Sequence, residues 1–270
     1  MKIDLSGGRA VFREGAAEGT AEAGVVVLDD AFKPYVHPLR TPGGVVVSDA
    51  MPVDHLHHKG LMYALRAEDL NFWEEGEGRE FGVQEVVEAR AEGGTLVLEL
   101  LWRGRDGGME TYREERRISC ERRGNGFVWG WESRREALRG HRLIQSQWSL
   151  AAGDGRKINY HGLGIRLPWA WAVMGGRFSG VKVGGREVAA GEAHGSKGAE
   201  VTFWGQADGH WKPPRAGVTV RQGHGFAWFV LKGDFAYVAA GPSAEGAVEV
   251  GEGEVVEERY EVVVEDLAAE

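Results

Sequence analysis

Thr95-Leu96-Val97-Leu98-Glu99-Leu100-Leu101-Trp102-Arg103 carries the reading that decides the fold. Leu96, Leu98, Leu100 and Trp102 fall on alternate positions, which puts them on one face of an extended strand. Glu80 to Glu88 reads as its hairpin partner, joined across Glu92-Gly93-Gly94. Downstream, Tyr112 to Ile118 and Gly126 to Ser133 form a second predicted hairpin, turning at Arg123-Gly124-Asn125-Gly126. Phe127, Trp129 and Trp131 line one face of its second strand and are expected in the core. Arg116-Arg117 and Arg134-Arg135 sit among glutamates and read as solvated strand faces.

The same style continues outward. Gly24 to Leu28 and Gly43 to Val47 read as early strands; Ala216 to Arg221, Phe226 to Leu231, Phe235 to Ala240 and Val255 to Glu265 read as late ones. In the last of these, Val256, Tyr260, Val262 and Val264 face one way, and Glu257, Arg259 and Glu261 the other. No segment offers a long amphipathic helix. The expectation is an all-β chain folded as a single domain over residues 1–270, an antiparallel β-sandwich of two sheets.

Composition agrees. The 42 glycines are scattered without a three-residue period and punctuate turns. A net charge of −9 with no basic run argues against nucleic acid or an anionic membrane as partner. Cys120 is the only cysteine, which excludes an intrachain disulfide and a cysteine zinc site, and it reads as an inert thiol at a strand end. The chain lacks the apolar core of a signal peptide near Met1 and any run long enough to span a bilayer, so a soluble cytoplasmic protein is expected. No P-loop, strand-to-helix GxGxxG or GxSxG elbow appears, so no nucleotide cofactor is expected.

Chemistry concentrates in Asp54-His55-Leu56-His57-His58-Lys59-Gly60, followed by Asn71-Phe72-Trp73-Glu74-Glu75. Three of the nine histidines fall within four positions. Imidazole can carry protons, bind metal or hydrogen-bond hydroxyls near neutrality. Were the segment extended, His55 and His57 would share one face and His58 the other. His55 and His57, with Glu74 or Glu75, could then hold a divalent metal, although no HExxH helix accompanies them. A second cluster, Asn159-Tyr160-His161-Gly162-Leu163-Gly164-Ile165-Arg166, could set an imidazole and a bidentate guanidinium at one strand end. The two clusters are expected to meet across one cleft, because functional groups sit on loops held by a rigid scaffold. Asp208 to Arg215, which includes His210, reads as a rim loop, and His37, His141, His194 and His224 default to structural or surface roles.

The block from Asp54 to Leu61, with Lys33-Pro34-Tyr35, Pro38, Thr41-Pro42-Gly43-Gly44 and Phe72-Trp73-Glu74, resembles a bacterial family labelled methane oxygenase PmoA-like. The likeness extends to Arg259-Tyr260-Glu261-Val262-Val263-Val264; Leu56, Lys59 and Met62 depart from the proline, arginine and tryptophan expected there. Length, strand pattern and His-plus-carboxylate clusters are also similar to the galactose-mutarotase-like supersandwich proteins. That resemblance implies a sugar-binding cleft and a small-molecule substrate, handled by a histidine acid and a glutamate base. Mapped by residue type, His58 or His161 would be the acid and Glu74 or Glu75 the base. Arg166 would clamp hydroxyls, with His55, His57, Lys59, Asn71 and Trp73 as further substrate contacts. It implies a carbohydrate isomerase, epimerase, hydrolase or lyase; the alternatives are a non-catalytic sugar-binding module and a metal-dependent enzyme using His55, His57 and His58.

Overall fold

Two antiparallel sheets face each other across one apolar interior in the computed structural model, which describes residues 1–15, 21–209 and 211–268. The nine-stranded sheet runs, edge to edge, Arg186–Val188, Ser179–Val183, Glu200–Gln206, Arg215–Gln222, Val255–Leu267, Gly126–Ala137, Glu110–Arg123, Thr95–Gly104 and Gly82–Glu92. The eight-stranded sheet runs Lys2–Ser6, Arg9–Arg13, Glu22–Val27, Tyr35–Leu39, Leu61–Ala64, Gly162–Leu167, Ala236–Ala240 and Phe229–Lys232. Two short helices, Trp169–Val173 and Ala190–Ala193, lie between strands.

The alternation of Thr95–Gly104 does what its pattern dictates. Leu96, Leu98, Leu100 and Trp102 enter the shared core, as do Phe127, Trp129 and Trp131 from the neighbouring hairpin. Leu61, Tyr63, Leu163, Ile165 and Val238 meet them from the smaller sheet. The other face of the smaller sheet carries a second apolar cluster, including Tyr35, Met62, Trp73, Tyr160, Phe229 and Tyr237. Gly162–Leu167 serves both faces: Leu163, Ile165 and Leu167 point into the sandwich, while Gly164 and Arg166 take the opposite side. At Gly164 any side chain would collide with its neighbour, since a Cβ there would sit 1.7 Å from the Tyr237 hydroxyl.

Three expectations about the strands need correction. Gly43 to Val47 is not a strand: Gly44 takes φ +87°, its N–H closes a turn onto Thr41, and only an isolated Arg40–Val46 bridge remains. Arg116 and Arg135 are not solvated. They are 0% and 1% exposed, whereas their neighbours Arg117 and Arg134 do face solvent. Arg116 donates from Nε and Nη2 to the Glu114 carboxylate at 2.8 and 2.9 Å, and also to Gln84. Arg135 donates to Glu258 at 2.6 Å, and Tyr63 and Tyr260 donate to the same carboxylate at 2.9 and 2.7 Å. Trp102 and Ser133 add bonds to Glu114. Burying two ion pairs is tolerable here because neighbouring donors fill the carboxylate lone pairs.

Cys120 lies within its strand rather than at the end, buried, with its thiol pushed well up by that burial. Among the described residues no helix is long and apolar enough to cross a membrane.

Candidate functional site

The histidine block is not extended. The His55 N–H donates to the Pro52 carbonyl at 2.9 Å and the His58 N–H to the His55 carbonyl at 3.0 Å, so two successive turns coil the segment. The Met51 N–H closes the loop onto the His58 carbonyl. Backbone bonds then stitch the loop to Gly162–Leu167: Asp49 N–H to the Arg166 carbonyl, and Arg166 N–H to the Gly60 carbonyl, each 2.9 Å. Gly60 lets the end of the loop press against the strand Tyr35–Leu39 on its other side, with φ +58° and a Cβ position 2.3 Å from the Val36 carbonyl oxygen. Coiling brings all three imidazoles together. Ring centres lie 4.6 Å apart for His55 and His58, 4.7 Å for His57 and His58, and 5.7 Å for His55 and His57.

The cluster opens on a cavity of about 550 Å³ on the outer face of the smaller sheet. Asp54, His55, His57, His58, Glu74 and Asp234 supply its polar lining; Trp148, Leu150, Tyr160, Phe229, Leu231, Phe235 and Tyr237 supply the rest. That volume and an aromatic wall with a few convergent polar groups suit a small organic ligand. Trp148 stands 65% exposed at the cavity.

His58 is 3% exposed and stacks on Tyr237 with ring centres 5.4 Å apart. Arg166, itself buried, places Nη1 3.0 Å from His58 Nδ1 and Nη2 3.4 Å from Asp54 Oδ2, while Asp54 Oδ2 also lies 2.7 Å from His55 Nδ1. Burial, then the charges of His57 and Arg166, hold the His58 imidazole far below its ordinary range. Burial, followed by Lys33, lowers His57 to about 3. Both rings are therefore neutral at physiological pH.

Glu74 is held by Asn71. The Asn71 side-chain oxygen accepts the N–H groups of Trp73 and Glu74 at 3.0 and 3.1 Å, and its amide donates to Glu74 Oε2 at 2.5 Å. The Tyr160 hydroxyl lies 3.5 Å from Glu74 Oε1. Glu75 turns the other way. Its Oε1 pairs with Lys33 at 2.9 Å and Lys59 at 2.8 Å, and Lys59 also reaches Asp30 at 2.6 Å. Lys33 is fully buried, and burial lowers its ammonium. Glu75, Lys59 and Trp73 thus lie behind the cavity rather than on its lining.

The two sequence clusters do meet, through the Arg166–His58 contact. His161 does not reach the cavity: it is 1% exposed, packs on Trp73 with ring centres 5.4 Å apart, and is lowered to about 3 by burial and then by Arg66. Among the described residues no three His, Cys, Asp or Glu side chains are grouped to hold a metal ion, and His55 Nδ1 and His58 Nδ1 are engaged by Asp54 and Arg166.

A family model described as a family of unknown function, DUF6807, matches residues 21–270. The chain belongs to the DUF6807 family. A search of the curated proteins found no match. Among solved structures, this DUF6807 chain is similar to a galactose mutarotase-like protein from Clostridium acetobutylicum, at 10% identity and a TM-score of 0.47, with 98% of each chain covered.

Reading the DUF6807 sequence alone missed Trp148, Asp234, Phe235 and Lys33. The polar flanks of Trp148 in Ser146-Gln147-Trp148-Ser149, and the turn Gly233-Asp234-Phe235 between two strands, were usable signals for the first three. Nothing local marks Lys33 as buried. The remaining described histidines are structural: His37 bonds Ser48, His141 bonds Tyr112, His194 accepts the Val230 N–H, and His224 accepts the Arg259 N–H. His210 lies outside the described residues.

Proposed function

We propose that the cavity binds a sugar and that Glu74 exchanges a proton with one of its hydroxyls. The observation that carries this reading is the convergence of a carboxylate, three imidazoles and an aromatic wall on one cavity of about 550 Å³. Aromatic faces suit the apolar faces of a pyranose, and fixed polar groups suit its hydroxyls. Glu74 is the proton acceptor, oriented by Asn71. His57 and His58, kept neutral by burial, act as hydrogen-bonding groups rather than as imidazolium acids. Opening and closing of a sugar hemiacetal is the simplest reaction this set could run, with no nucleotide cofactor: Glu74 takes the anomeric hydroxyl proton as the bond from the anomeric carbon to the ring oxygen breaks, the ring oxygen takes a proton from water, and protonated Glu74 returns one to the resulting hydroxide. The likeness of the histidine block to the PmoA-like family adds no activity to this reading.

A second reading is a non-catalytic sugar-binding module. The exposed Trp148 beside Leu150 favours it, because a stacking platform is sufficient for binding. A panel of neutral aldoses tests both readings. Binding followed by tryptophan fluorescence, together with anomer exchange followed by NMR, distinguishes a turned-over ligand from one that is only held. The proposal expects Glu74→Gln to bind the same sugars and lose exchange. Absence of binding to any of the panel would remove both readings.

A further inference from the structure

Arginine has five N–H donors and no acceptor, so any nitrogen it hydrogen-bonds must offer a lone pair. Arg166 Nη1 lies 3.0 Å from His58 Nδ1. Nδ1 of His58 is therefore the acceptor, and in a neutral ring the proton resides on Nε2. Nδ1 is held from behind, so Nε2 is the nitrogen left to meet a ligand in the cavity that His58 lines. Asp54 imposes the opposite polarity on the neighbouring ring. Its carboxylate can only accept, so His55 Nδ1, 2.7 Å away, carries a proton.

The arrangement is rigid. Arg166 is anchored by its strand, by Asp54 at 3.4 Å, and by stacking over Phe235 at 4.3 Å from the ring centre. His58 is sandwiched between His55 and Tyr237, with interplanar angles of 20° and 25°. The ionisable groups that act on His58 are Arg166, His57, His55 and Lys33, with Asp54 beyond Arg166.

We propose that Arg166 is a positioning residue that locks His58 in the tautomer protonated at Nε2. The cavity then offers a hydrogen-bond donor at that point, and the ligand atom facing it is an acceptor oxygen, such as a carbonyl or a sugar ring oxygen. The ligand half of this inference rests on the sugar-binding reading; the tautomer half does not.

The test is NMR of the histidine side-chain nitrogens in full-length protein labelled with heavy nitrogen, with His58 assigned by difference from His58→Gln. The expected wild-type spectrum shows His58 protonated at Nε2 and bare at Nδ1. A proton at Nδ1 would overturn the proposal without any Arg166 variant. Arg166→Lys keeps a donor-only side chain and is expected to preserve the tautomer. Arg166→Gln can turn an acceptor toward Nδ1 and is expected to yield a mixture of tautomers. A glutamine variant with the unmixed wild-type tautomer would show that Arg166 does not set it; if that variant does not fold, the same reading is taken from Arg166→Met. Adding a neutral aldose that binds is expected to shift His58 Nε2 more than Nδ1, and the reverse would overturn the ligand half. Should no sugar bind, the sugar reading fails while the tautomer result stands.

Discussion

Acidification should unfold this protein partly through His161, and the size of the effect follows from its surroundings. His161 is 1% exposed, with Trp73 and Tyr160 rings centred 5.4 and 5.0 Å away, and its imidazole is lowered from 6.5 to about 3, first by burial and then by Arg66. The unfolded chain takes up a proton on this residue below its ordinary value of 6.5, whereas the native state resists until about 3. Stability from this source is thus complete above the upper value and lost as pH falls toward the lower one. The gap corresponds to roughly 5 kcal/mol in total, and in mid-window to a slope of about 1.4 kcal/mol per pH unit. Carboxylates and the other buried imidazoles add slopes of their own, so the diagnostic is a difference. Urea denaturation of wild type and His161→Phe at several pH values through this window should give a shallower dependence for the variant by about that slope. The variant's absolute stability can also move, since phenylalanine fills the apolar site and removes the imidazole Nδ1, which is buried there without a hydrogen-bond partner. Parallel slopes would refute the claim that His161 stays neutral in the folded protein.

Three other outcomes follow from the packing. Trp129→Ala should lower the unfolding free energy by roughly 3–5 kcal/mol in chemical denaturation, because Trp129 is fully buried between the sheets against Phe12. Glu258→Gln should destabilise by about 3–5 kcal/mol, because it leaves Arg135 charged and unpaired in the core; unchanged thermal stability would contradict the network. Trp148→Ala should leave the melting temperature close to that of wild type while weakening sugar binding by titration calorimetry, since its side chain is mostly solvent-exposed at the cavity.

The large strands were legible because their apolar residues alternate without interruption, as in Leu96, Leu98, Leu100 and Trp102. The strand Glu110–Arg123 carries charge on both faces, so alternation could not reveal that Glu114 and Arg116 point inward. Their burial depends on Gln84, Trp102 and Ser133, which lie on other strands. Val256, Tyr260, Val262 and Val264 do share the inward side, with the buried Glu258 among them. The histidine block was visible as a cluster, but its geometry was not. Local sequence suggested two faces, whereas turns tied to Gly162–Leu167 gather the three rings. Adjacent carboxylates Glu74 and Glu75 looked equivalent in sequence. Only the folded chain separates them, one on the cavity and the other held by Lys33 and Lys59.

The central claim is that Glu74 transfers a proton to and from a sugar bound in this cavity. Exchange between sugar anomers, measured by NMR with wild type and Glu74→Gln at matched saturation, tests it most directly. The account predicts acceleration by wild type and a loss of about 10²–10⁴-fold in the variant, the usual range for a general acid–base group, with sugar affinity retained. Equal exchange rates for the two proteins would contradict it.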